Sequence, residues 1–395
     1  MMAAGCALEY GAAVTIFEHT DRLGKKLGIT GKGRCNVTNN CTVNEFLENV
    51  TVNPRFLYTA LYAFPPEKTI EFFEGLGVEL KTERGNRVFP TDDKAKTIVD
   101  ARRKYSSGAS VVYEHIRSVS KNANGSFTVC GKQEYNFDSV IMATGGKSYP
   151  LTGSDGSGFS IVSKLGHSVT ELKPSLVPFE SRSSLCKKMM GLSLKNVSIK
   201  IIDRQERTIY TDFGEMMFTH FGLTGPMILS ASAHVKNYNL RDLTVSIDLK
   251  PALDEKKLDT RLLSDFKEKS NRDLINALDG LLPVKMIEPF VDMTGIDPRK
   301  KVNVLTKEDR RRILTLLKDF RIPLYALRPI DEAIITSGGI DTKEINPKTM
   351  ESRIVPGLYF AGEMIDVDAY TGGFNLQIAY STGFIAGKSA AEFIE

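Results

Sequence analysis

The sequence predicts an α/β protein in which a parallel-sheet domain is interrupted by an inserted domain. Short apolar strands near both ends of the chain stop at an acid or a glycine turn, and helix-patterned runs lie next to them. Strands that alternate with helices are typical of parallel sheets, whose connections need a helical crossover. We therefore predict one α/β domain formed by residues 1–185 and 330–395, with an insert at residues 186–329.

The predicted insert has a β part and a helical part. Residues 197–210 and 243–249 alternate between apolar and polar side chains, which predicts strands of a small barrel or sandwich. Residues 254–319 instead carry apolar side chains at helical spacing, and Thr306 with Asp309 is typical of a capping box. We expect a β-barrel that carries a small helical subdomain.

Composition excludes several classes of protein. The chain has 395 residues, 42% hydrophobic and 25% charged, and this length is sufficient for two or more domains. Its net charge of +4 is compatible with anionic ligands but weak for a dedicated nucleic-acid binder. No run approaches 18 uninterrupted apolar residues, so the sequence predicts no membrane-spanning helix.

The cysteines indicate a reducing environment. There are five of them, and no two form a C-x-x-C pair. An odd number without such a pair argues against a disulfide framework and against a zinc ribbon. We therefore expect a cytoplasmic protein without a metal site, and the sequence does not predict its oligomeric state.

The first residues are typical of the second half of a β-α-β dinucleotide-binding unit. Residues 1–10 form a small-residue helix pattern, and residues 14–17 form a short apolar strand that ends at Glu18. In such units the acid after the second strand accepts hydrogen bonds from ribose hydroxyls. The alternative is a solvated strand end. The first strand and its G-x-G-x-x-G loop do not occur in the sequence, so the predicted unit is N-terminally truncated.

A glycine-rich basic loop follows at residues 21–40. Lysines and arginines alternate there with glycines, which suits close approach to a pyrophosphate or a flavin edge. An ordinary flexible surface loop has the same spacing. Cys35 has no partner at a disulfide-forming distance in the sequence, which favours a packed or cofactor-adjacent thiol over a redox-active one.

The most informative stretch lies near the end of the chain. A strand-like run at residues 358–361 stops at Gly362 and Glu363, and a Gly372-Gly373 turn then opens a helix-patterned run. The acid can accept hydrogen bonds from sugar-like hydroxyls, and the glycines allow close backbone approach. The helix N-terminus presents N–H groups to an electron-rich edge. This arrangement is suited to holding a flavin.

Two further segments extend the same pattern. Residues 138–143 predict a buried strand that runs into Thr144-Gly145-Gly146, where ligands bind at the carboxyl ends of parallel strands. Residues 153–158 are glycine-rich and precede a helical run. They form either a second phosphate loop for NAD(P)H or, in the interpretation that we favour, an ordinary helix N-cap. Residues 108–119 alternate as a strand.

Four motifs together resemble the BaiN/RdsA-like family of NAD(P)/FAD-dependent oxidoreductases, which is also called aminoacetone-oxidase-like. They are GRCNVTNN, ATGGKSYPLTGSDGSG, FTHFGLTGP and AGEMIDVDAYTGGFNLQIAYSTG. The resemblance covers essentially the whole chain. It implies a Rossmann-like FAD-binding domain, here without its first strand and glycine loop, and an insert that covers the flavin and shapes the substrate pocket.

The motifs and the resemblance together predict the cofactor contacts. The resemblance alone implies Ile116, whose backbone would lie beside the adenine. The complete predicted set is Glu18, Lys25, Arg34, Cys35, Asn36, Ile116, Ala143, Thr144, Gly145, Gly146, Gly338, Gly362, Glu363, Gly372, Gly373, Phe374, Asn375 and Leu376.

Catalytic residues are not assigned by the sequence, and three candidates remain. His220 lies in the FTHFGLTGP motif and could act as a general acid or, equally, hold a turn through backbone hydrogen bonds. Asp368 and Tyr370 adjoin the predicted flavin turn. Asp368 could instead cap a helix, and Tyr370 could instead pack against the insert.

The resemblance implies an FAD-dependent oxidoreductase with three possible activities. The first is NAD(P)H-driven reduction of a conjugated C=C bond in a small molecule, with NAD(P)H as a transient reductant. The second is reduction of uridine to dihydrouridine in ribosomal RNA, which basic clusters such as residues 310–312 favour slightly, although solvated helix faces explain them better. The third is an oxygen-using amine oxidase, and a flavin-free scaffold is the non-enzymatic alternative.

Overall fold

The computed structural model describes residues 1–393 and divides into two compact units. The discontinuous unit consists of Met1–Ser175 together with the chain from Pro329 onward, and the central unit is Leu176–Arg328. The chain thus leaves the discontinuous unit once and returns to it once. The sequence-based boundaries for the insert are residues 186 and 329.

The helices of the described chain vary from one turn to five. They are α1 (Met2–Glu9), α2 (Lys25–Ile29), α3 (Val43–Glu48), α4 (Tyr58–Ala63), α5 (Pro66–Gly75), α6 (Ala95–Tyr105), α7 (Ser157–Lys164), α8 (Ser184–Lys188), α9 (Pro226–Ser232), α10 (Glu255–Glu268), α11 (Leu274–Ala277), α12 (Val284–Thr294), α13 (Lys307–Lys318) and α14 (Phe374–Glu392).

The strands are short except for two in the central unit. They are β1 (Thr15–Glu18), β2 (Thr38–Asn39), β3 (Val50–Val52), β4 (Leu80–Glu83), β5 (Arg87–Pro90), β6 (Ser110–Tyr113), β7 (Ser118–Lys121), β8 (Phe127–Cys130), β9 (Glu134–Phe137), β10 (Val140–Met142), β11 (Lys173–Ser175), β12 (Phe179–Glu180), β13 (Ser193–Ile202), β14 (Thr208–Phe218), β15 (Gly222–Thr224), β16 (Thr244–Asp248), β17 (Phe320–Pro323), β18 (Ala326–Leu327), β19 (Ile335–Ser337), β20 (Leu358–Phe360) and β21 (Asp368–Ala369).

Two parallel strand pairs form the framework of the discontinuous unit. Strand β1 pairs with β6, so that Glu18 lies opposite Tyr113, and β10 pairs with β20. The Ala361 N–H extends the second pair by donating to the Met142 carbonyl over 3.1 Å. Because both strands of a parallel pair end at the same edge, Ala143 and Gly362 follow strand ends that lie side by side.

The stretch that the sequence predicts as one strand, residues 108–119, is two strands in different sheets. Strand β6 belongs to a parallel pair, whereas β7 begins the antiparallel β7-β8-β9 sheet. Between them the Glu114 side chain turns inward, and its carboxylate accepts a hydrogen bond from the Lys132 N–H over 3.4 Å. Alternation alone cannot show such a break, because both halves keep the same two-residue period.

The long C-terminal helix α14 packs directly against the first helix. A Cβ atom added to Gly387 would lie 2.3 Å from the Ala3 carbonyl oxygen, and one added to Gly383 would lie 3.2 Å from the Met2 side chain. These glycines therefore permit a close approach of the two backbones that larger residues would prevent. Many other α14 side chains are buried, which explains why the helix lacks a polar stripe.

The central unit contains a seven-stranded antiparallel sheet of order β17-β16-β13-β14-β15-β12-β18. Its two edge strands, β17 and β18, are consecutive in the chain and are separated only by Leu324 and Tyr325. Helices α10 to α13 share one apolar core with this sheet, in which the Phe290 ring stacks on Phe320 at 6.5 Å. The predicted capping box of Thr306 and Asp309 is present at the start of α13.

Two kinds of feature are not found in the part of the chain that the structure describes. No helix within residues 1–393 is long and apolar enough to cross a membrane. The same residues contain no group of three or more His, Cys, Asp or Glu side chains that could hold a metal ion.

A buried histidine connects two segments of the discontinuous unit. The Ser352 hydroxyl oxygen accepts from the N–H groups of Ile354 (3.0 Å) and Val355 (2.7 Å), so its proton is free to donate to His167 Nε2 over 2.8 Å. His167 Nδ1–H then donates to Glu344 Oε2 over 3.1 Å. Burial lowers the pKa of His167 from its ordinary value of 6.5. The folded protein therefore favours the neutral form of the His167 ring.

This arrangement predicts a loss of stability in acid. Because the pKa of His167 is lower in the folded chain than the ordinary value of about 6.5, the unfolded chain binds this proton first as the pH decreases, and the free energy of unfolding falls. We expect His167→Leu to cost about 1–3 kcal/mol at pH 7, because Glu344 and Ser352 lose their partner. The same variant should also show a shallower pH dependence between pH 7 and 5.

The measurement is urea unfolding of the wild type and the variant at both pH values. His220→Leu is the matched control, since His220 is exposed. Equal pH slopes in the wild type and in His167→Leu would contradict the assignment of the neutral ring.

Candidate functional site

The carboxyl end of β10 leads into a turn with little room for side chains. Ala143 and Thr144 are exposed, and Gly145 has a φ of +78°. A Cβ on Gly145 would lie 2.5 Å from the Ser154 hydroxyl, and one on Gly146 would lie 2.4 Å from the Thr336 hydroxyl. The Gly-Gly turn therefore brings its backbone close to two other segments, and it leaves the strand end at Ala143 accessible.

Glu363, at the end of β20, is the centre of a polar network. Its Oε2 accepts from Lys26 Nζ at 2.6 Å, and its Oε1 accepts from the Thr336 N–H at 2.8 Å and from the Ser148 hydroxyl at 3.1 Å. Lys26 also donates to the hydroxyls of Ser148 (2.9 Å) and Ser154 (3.1 Å). The predicted site residue Glu363 thus binds protein groups from three other segments.

The predicted Gly372-Gly373 turn lies against strand β2. Asn39 Nδ2 donates to the Gly372 carbonyl over 3.1 Å, and a Cβ on Gly373 would lie 2.4 Å from the Thr38 carbonyl oxygen. Gly373 has a φ of +95° and is the N-cap of α14. Glycine is required here because the turn touches the backbone of β2 and because its own backbone is left-handed.

The first turn of α14 has unused hydrogen-bond donors. Gln377 is the first helix residue whose N–H finds a backbone acceptor, the Gly373 carbonyl at 3.1 Å. The N–H groups of Phe374, Asn375 and Leu376 have no acceptor among residues 1–393. Such donors at a helix start, together with the positive end of the helix dipole, form a site for an anionic or electron-rich group.

The side chains in this turn serve the fold. Phe374 is buried and meets the Phe46 ring edge-on at 5.0 Å, and Leu376 packs in a neighbouring cluster of the core. Asn375 holds the preceding β21 by accepting from the Ala369 N–H (3.0 Å) and donating to the Ala369 carbonyl (2.7 Å). Only the backbone of Phe374, Asn375 and Leu376 is therefore available for a ligand.

Glu18, at the end of β1, lies beside the loop that follows β10. Its Oε1 accepts from the Thr20 N–H at 2.7 Å, and a Cβ on Gly153 would lie 3.7 Å from the same oxygen. Ile116 is half-buried and packs against the core of the discontinuous unit. Residues 153–158 provide the N-cap of α7 at Gly156, as our favoured interpretation predicts.

The predicted basic residues have partners of their own. Lys25 pairs with Asp21 at 3.0 Å, four residues earlier in the chain. Arg34 pairs with both Glu83 and Asp93 at 2.5 Å. Lys25 and Arg34 are thus partly exposed and form ion pairs at the surface. The side chain of Lys26, the residue after Lys25, contacts Glu363 instead.

Cys35 and Asn36 lie in the segment that leads to β2. The Cys35 thiol is fully buried, and burial raises its pKa to about 12. A thiol of this kind is not reactive at neutral pH, which agrees with the packed interpretation. Asn36 Oδ1 is buried and has no hydrogen-bond donor within residues 1–393. An unpaired buried acceptor next to β2 is the kind of group that a ligand can satisfy.

The remaining predicted residues fall in different places. Gly338 packs on the Glu171 backbone, and a Cβ on Gly338 would lie 2.4 Å from the Glu171 carbonyl oxygen. Gly362 faces Ala379 in α14. Asp368 is buried in β21, where its carboxylate accepts from the Thr51 hydroxyl. Tyr370 follows β21 and packs against the core. His220 belongs to the central unit, where its exposed ring meets Phe221 edge-on at 5.0 Å.

Sequence reasoning missed the residues that hold Glu363. Glu363 accepts hydrogen bonds from Lys26, Ser148 and Thr336, and Lys26 also donates to Ser154. None of these four residues belongs to the predicted set. The basic loop predicts that a cation from this region contacts the site, but it does not show which of the basic residues that is. Lys25 and Lys26 begin the same helix, and adjacent helical residues point about 100° apart.

Comparisons with known proteins show the family of the chain. The family model described as HI0933-like protein Rossmann domain matches residues 1–389. The chain belongs to the HI0933-like family. The prediction of an α/β Rossmann-type fold and of a flavin-dependent oxidoreductase is confirmed by this membership.

Two relatives match almost the whole chain. One is a 3-dehydro-bile acid delta(4,6)-reductase of Clostridium scindens, 29% identical over 96% of this chain and 93% of the relative. The other is a ribosomal RNA dihydrouridine synthase of Escherichia coli, 29% identical over 99% of this chain and 96% of the relative. Among solved structures, an open conformation of a flavocytochrome c3 fumarate reductase covers 99% of this chain and 76% of its own, with 15% identity and a TM-score of 0.45.

The residues of this HI0933-like chain fit FAD, the cofactor of the family. The unused N–H groups at the start of α14 suit the electron-rich edge of a flavin ring, and Asn36 Oδ1 is a buried acceptor that needs a donor. Glu18 and the open strand end at Ala143 suit the ribose and its surroundings. When bound, FAD supplies the electron transfer itself, and the protein supplies orientation and electrostatics.

The first prediction for this site concerns the ion pair of Glu363 and Lys26. Glu363→Gln and Lys26→Met should each lower the free energy of unfolding by about 1–3 kcal/mol, because each leaves the other side chain partly buried without its charge partner. The double variant should lose less than the sum of the two. Urea unfolding of all four proteins measures this coupling, and strictly additive losses would show that the pair does not stabilise the fold.

Flavin content is the second readout for the same residue. We expect Glu363→Ala to copurify with less FAD, because the end of β20 and the Gly146 turn lose their common anchor. Unchanged flavin absorbance per mole of protein would remove Glu363 from the cofactor site.

A further prediction concerns the close contact at Gly373. Gly373→Ala should be much more destabilising than Gly125→Ala, a matched control. Both glycines have positive φ, +95° and +88°, but a Cβ on Gly125 meets nothing within 4 Å. We expect a cost of about 1 kcal/mol at Gly125 and roughly 3 kcal/mol or more at Gly373, together with loss of FAD. Thermal unfolding and flavin content are the measurements, and equal losses at both positions would contradict the contact.

Proposed function

We propose that this chain uses FAD to reduce a C=C bond that is conjugated to a carbonyl group within a ring, with NAD(P)H as the electron donor. The names of the two relatives support this proposal. One is a reductase of a delta(4,6) bile acid, and the other forms dihydrouridine, which has two more hydrogens than uridine. The chemistry that the two names share is the addition of hydrogen across a ring double bond.

The observation that carries the proposal is the unpaired N–H row at Phe374, Asn375 and Leu376. Negative charge accumulates on a flavin when it is reduced, and N–H donors at a helix start stabilise that charge. Donors that are fixed before the cofactor binds require no reorganisation during the reaction. A site of this kind favours retention of the reduced cofactor, which a reductase needs.

We propose that Gly372, Gly373 and the backbone of residues 374–376 hold the flavin ring and that Glu18 holds the ribose. The predicted role of the central unit, as the domain that covers the flavin and shapes the substrate pocket, is part of the same proposal. His220 is the proposed general acid, because its exposed ring can present a proton to substrate. Asp368 is a weaker candidate, since its carboxylate already accepts from Thr51.

The experiment follows flavin bleaching without oxygen. Purified protein with bound FAD is mixed with NADH or NADPH, and the flavin absorbance is recorded until it is stable. Either a cyclic enone with ring conjugation or a uridine-containing RNA is then added. We expect the nicotinamide to bleach the flavin and one of the two substrates to restore its colour.

Two results would contradict the proposal. Protein that is not bleached by either nicotinamide does not use it as the donor. Protein that is reoxidised rapidly by oxygen with release of hydrogen peroxide, and that is reduced by small amines, is an amine oxidase instead. His220→Gln should slow substrate-dependent reoxidation by about 10²–10⁴-fold and leave bleaching by the nicotinamide unchanged.

A further inference from the structure

Two exposed arginines of the central unit meet at one tyrosine. The guanidinium carbon of Arg182 lies 3.6 Å from the centre of the Tyr325 ring, and that of Arg241 lies 4.7 Å from the same centre. Arg241 Nη2 donates to the Tyr325 hydroxyl oxygen over 3.1 Å, and the proton of that hydroxyl has no acceptor within residues 1–393. The tyrosine therefore orients two cations and keeps one hydrogen-bond donor of its own.

The strand register explains why these residues meet. Glu180 of β12 pairs with Gly222 of β15 on one side and with Ala326 of β18 on the other. Residues just after Glu180 and just before its two partners therefore lie at the same end of these strands. Arg182 and Tyr325 are two such residues, and the Tyr325 N–H donates to the Glu180 carbonyl over 2.8 Å.

The proposed general acid lies at the same end of the strands. The Ser181 N–H donates to the Phe221 carbonyl over 2.9 Å, and the Ser181 hydroxyl donates to the Pro323 carbonyl over 2.7 Å. His220 precedes Phe221, and Arg182 follows Ser181. The two arginines and His220 thus belong to one end of one sheet.

The two arginines have no counter-charge in the part of the chain that the structure describes. The acids next to them in the fold are engaged by other arginines, because Asp242 pairs with Arg204 at 2.5 Å and Glu180 pairs with Arg328 at 2.8 Å. Two like charges that are held at one ring repel each other, and an anion that binds to both removes this repulsion.

The charge and shape of this site favour a phosphate monoester. Such a group has a second pKa of about 6 and carries close to two negative charges at neutral pH, which matches two guanidinium groups. A carboxylate or a phosphodiester carries only one. The planar guanidinium donors fit phosphate oxygens, and the Tyr325 hydroxyl adds a further donor. Because both arginines contact a single ring, they converge on one group rather than on a row of separate charges.

The glycine-rich loop at residues 153–158 is a poorer place for a phosphate. The Ser157 N–H, at the start of α7, donates to Asp155 Oδ1 over 2.9 Å, and the Phe159 N–H donates to the Gly156 carbonyl over 3.1 Å. The Asp155 carboxylate thus places a negative charge at this helix start, which repels phosphate. An electron donor that carries phosphate is therefore better bound by side-chain cations than by this loop.

We propose that Arg182, Arg241 and the Tyr325 hydroxyl bind the 2′-phosphate of NADPH and make NADPH, rather than NADH, the preferred electron donor. This inference rests on the proposed function, in which a nicotinamide nucleotide reduces the flavin, and it names which of the two nucleotides is used. NADH differs from NADPH only in lacking this phosphate monoester. An arginine that accommodates the 2′-phosphate is a known means of distinguishing the two nucleotides.

The first test measures binding without any redox step. Isothermal titration calorimetry compares 2′,5′-ADP, which carries the 2′-phosphate, with 5′-AMP, which lacks it. The variant is Arg182→Gln with Arg241→Gln. The matched control is Arg299→Gln with Arg311→Gln, two exposed arginines of the same unit that also lack an ion-pair partner in the described chain. Circular dichroism checks that each protein is folded, and the two single variants replace the double variant if it is not.

We expect the wild type to bind 2′,5′-ADP about 10–100-fold more tightly than 5′-AMP, since hydrogen bonds between charged groups differ by about that factor when one partner is removed. The double variant should bring this ratio close to one, each single variant should lower it, and the control should keep it. A general loss of structure would weaken both nucleotides and leave their ratio unchanged. Wild type that does not distinguish them, or an equal fall of the ratio in the control, overturns the proposal.

The second test uses flavin bleaching without oxygen. The concentrations of NADPH and NADH that give half of the maximal bleaching rate are measured for the wild type and the double variant. We expect NADPH to need about 10–100-fold less than NADH in the wild type, and the two to become similar in the variant. Equal values in the wild type would overturn the assignment to NADPH. Absent bleaching with both nucleotides counts against the proposed function, and the ratio for 2′,5′-ADP and 5′-AMP then still decides whether these arginines bind the phosphate.

Discussion

The ion pair between Lys26 and Glu363 connects segments that are more than 300 residues apart in the chain. Through its hydrogen-bond partners it fixes helix α2, the loop after β10 and the start of β19 to the end of β20. The glycine turn at Gly145 and Gly146 lies within this network and has no room for side chains. The carboxyl edge of the parallel strands is therefore shaped by a polar interaction, and the open strand end at Ala143 depends on it.

A second constraint acts at the start of α14. The Gly373 backbone touches the backbone of β2, so the helix begins at a position that Thr38 determines. Because the side chains of Phe374 and Asn375 are used by the core and by β21, the turn offers its N–H groups and no side-chain chemistry. This separation of roles suits a cofactor that brings its own reactivity and needs mainly position and a favourable electrostatic environment.

Sequence reasoning succeeded where the signal was local. The strand that leads to Glu18 and the capping box of Thr306 and Asp309 both follow from a few neighbouring residues. It failed where geometry joins distant residues. The choice between Lys25 and Lys26 depends on the position of Glu363, and the lack of space for a side chain at residue 373 depends on the contact with Thr38. The spacing of residues along the chain does not reveal that Lys26 contacts Glu363 or that Gly373 contacts Thr38.

The discontinuity of the larger unit has a consequence for biosynthesis. Strand β10 pairs with β20, and helix α1 packs against α14, so the carboxyl edge of the parallel strands is incomplete until the last part of the chain has been made. The central unit is continuous and can fold on the ribosome before that point. At about 5–20 residues per second, the roughly 200 residues between the start of the central unit and α14 take on the order of 10–40 s. During that time the N-terminal strands have unpaired edges, so a nascent chain depends on rapid completion, or on a chaperone, to avoid aggregation.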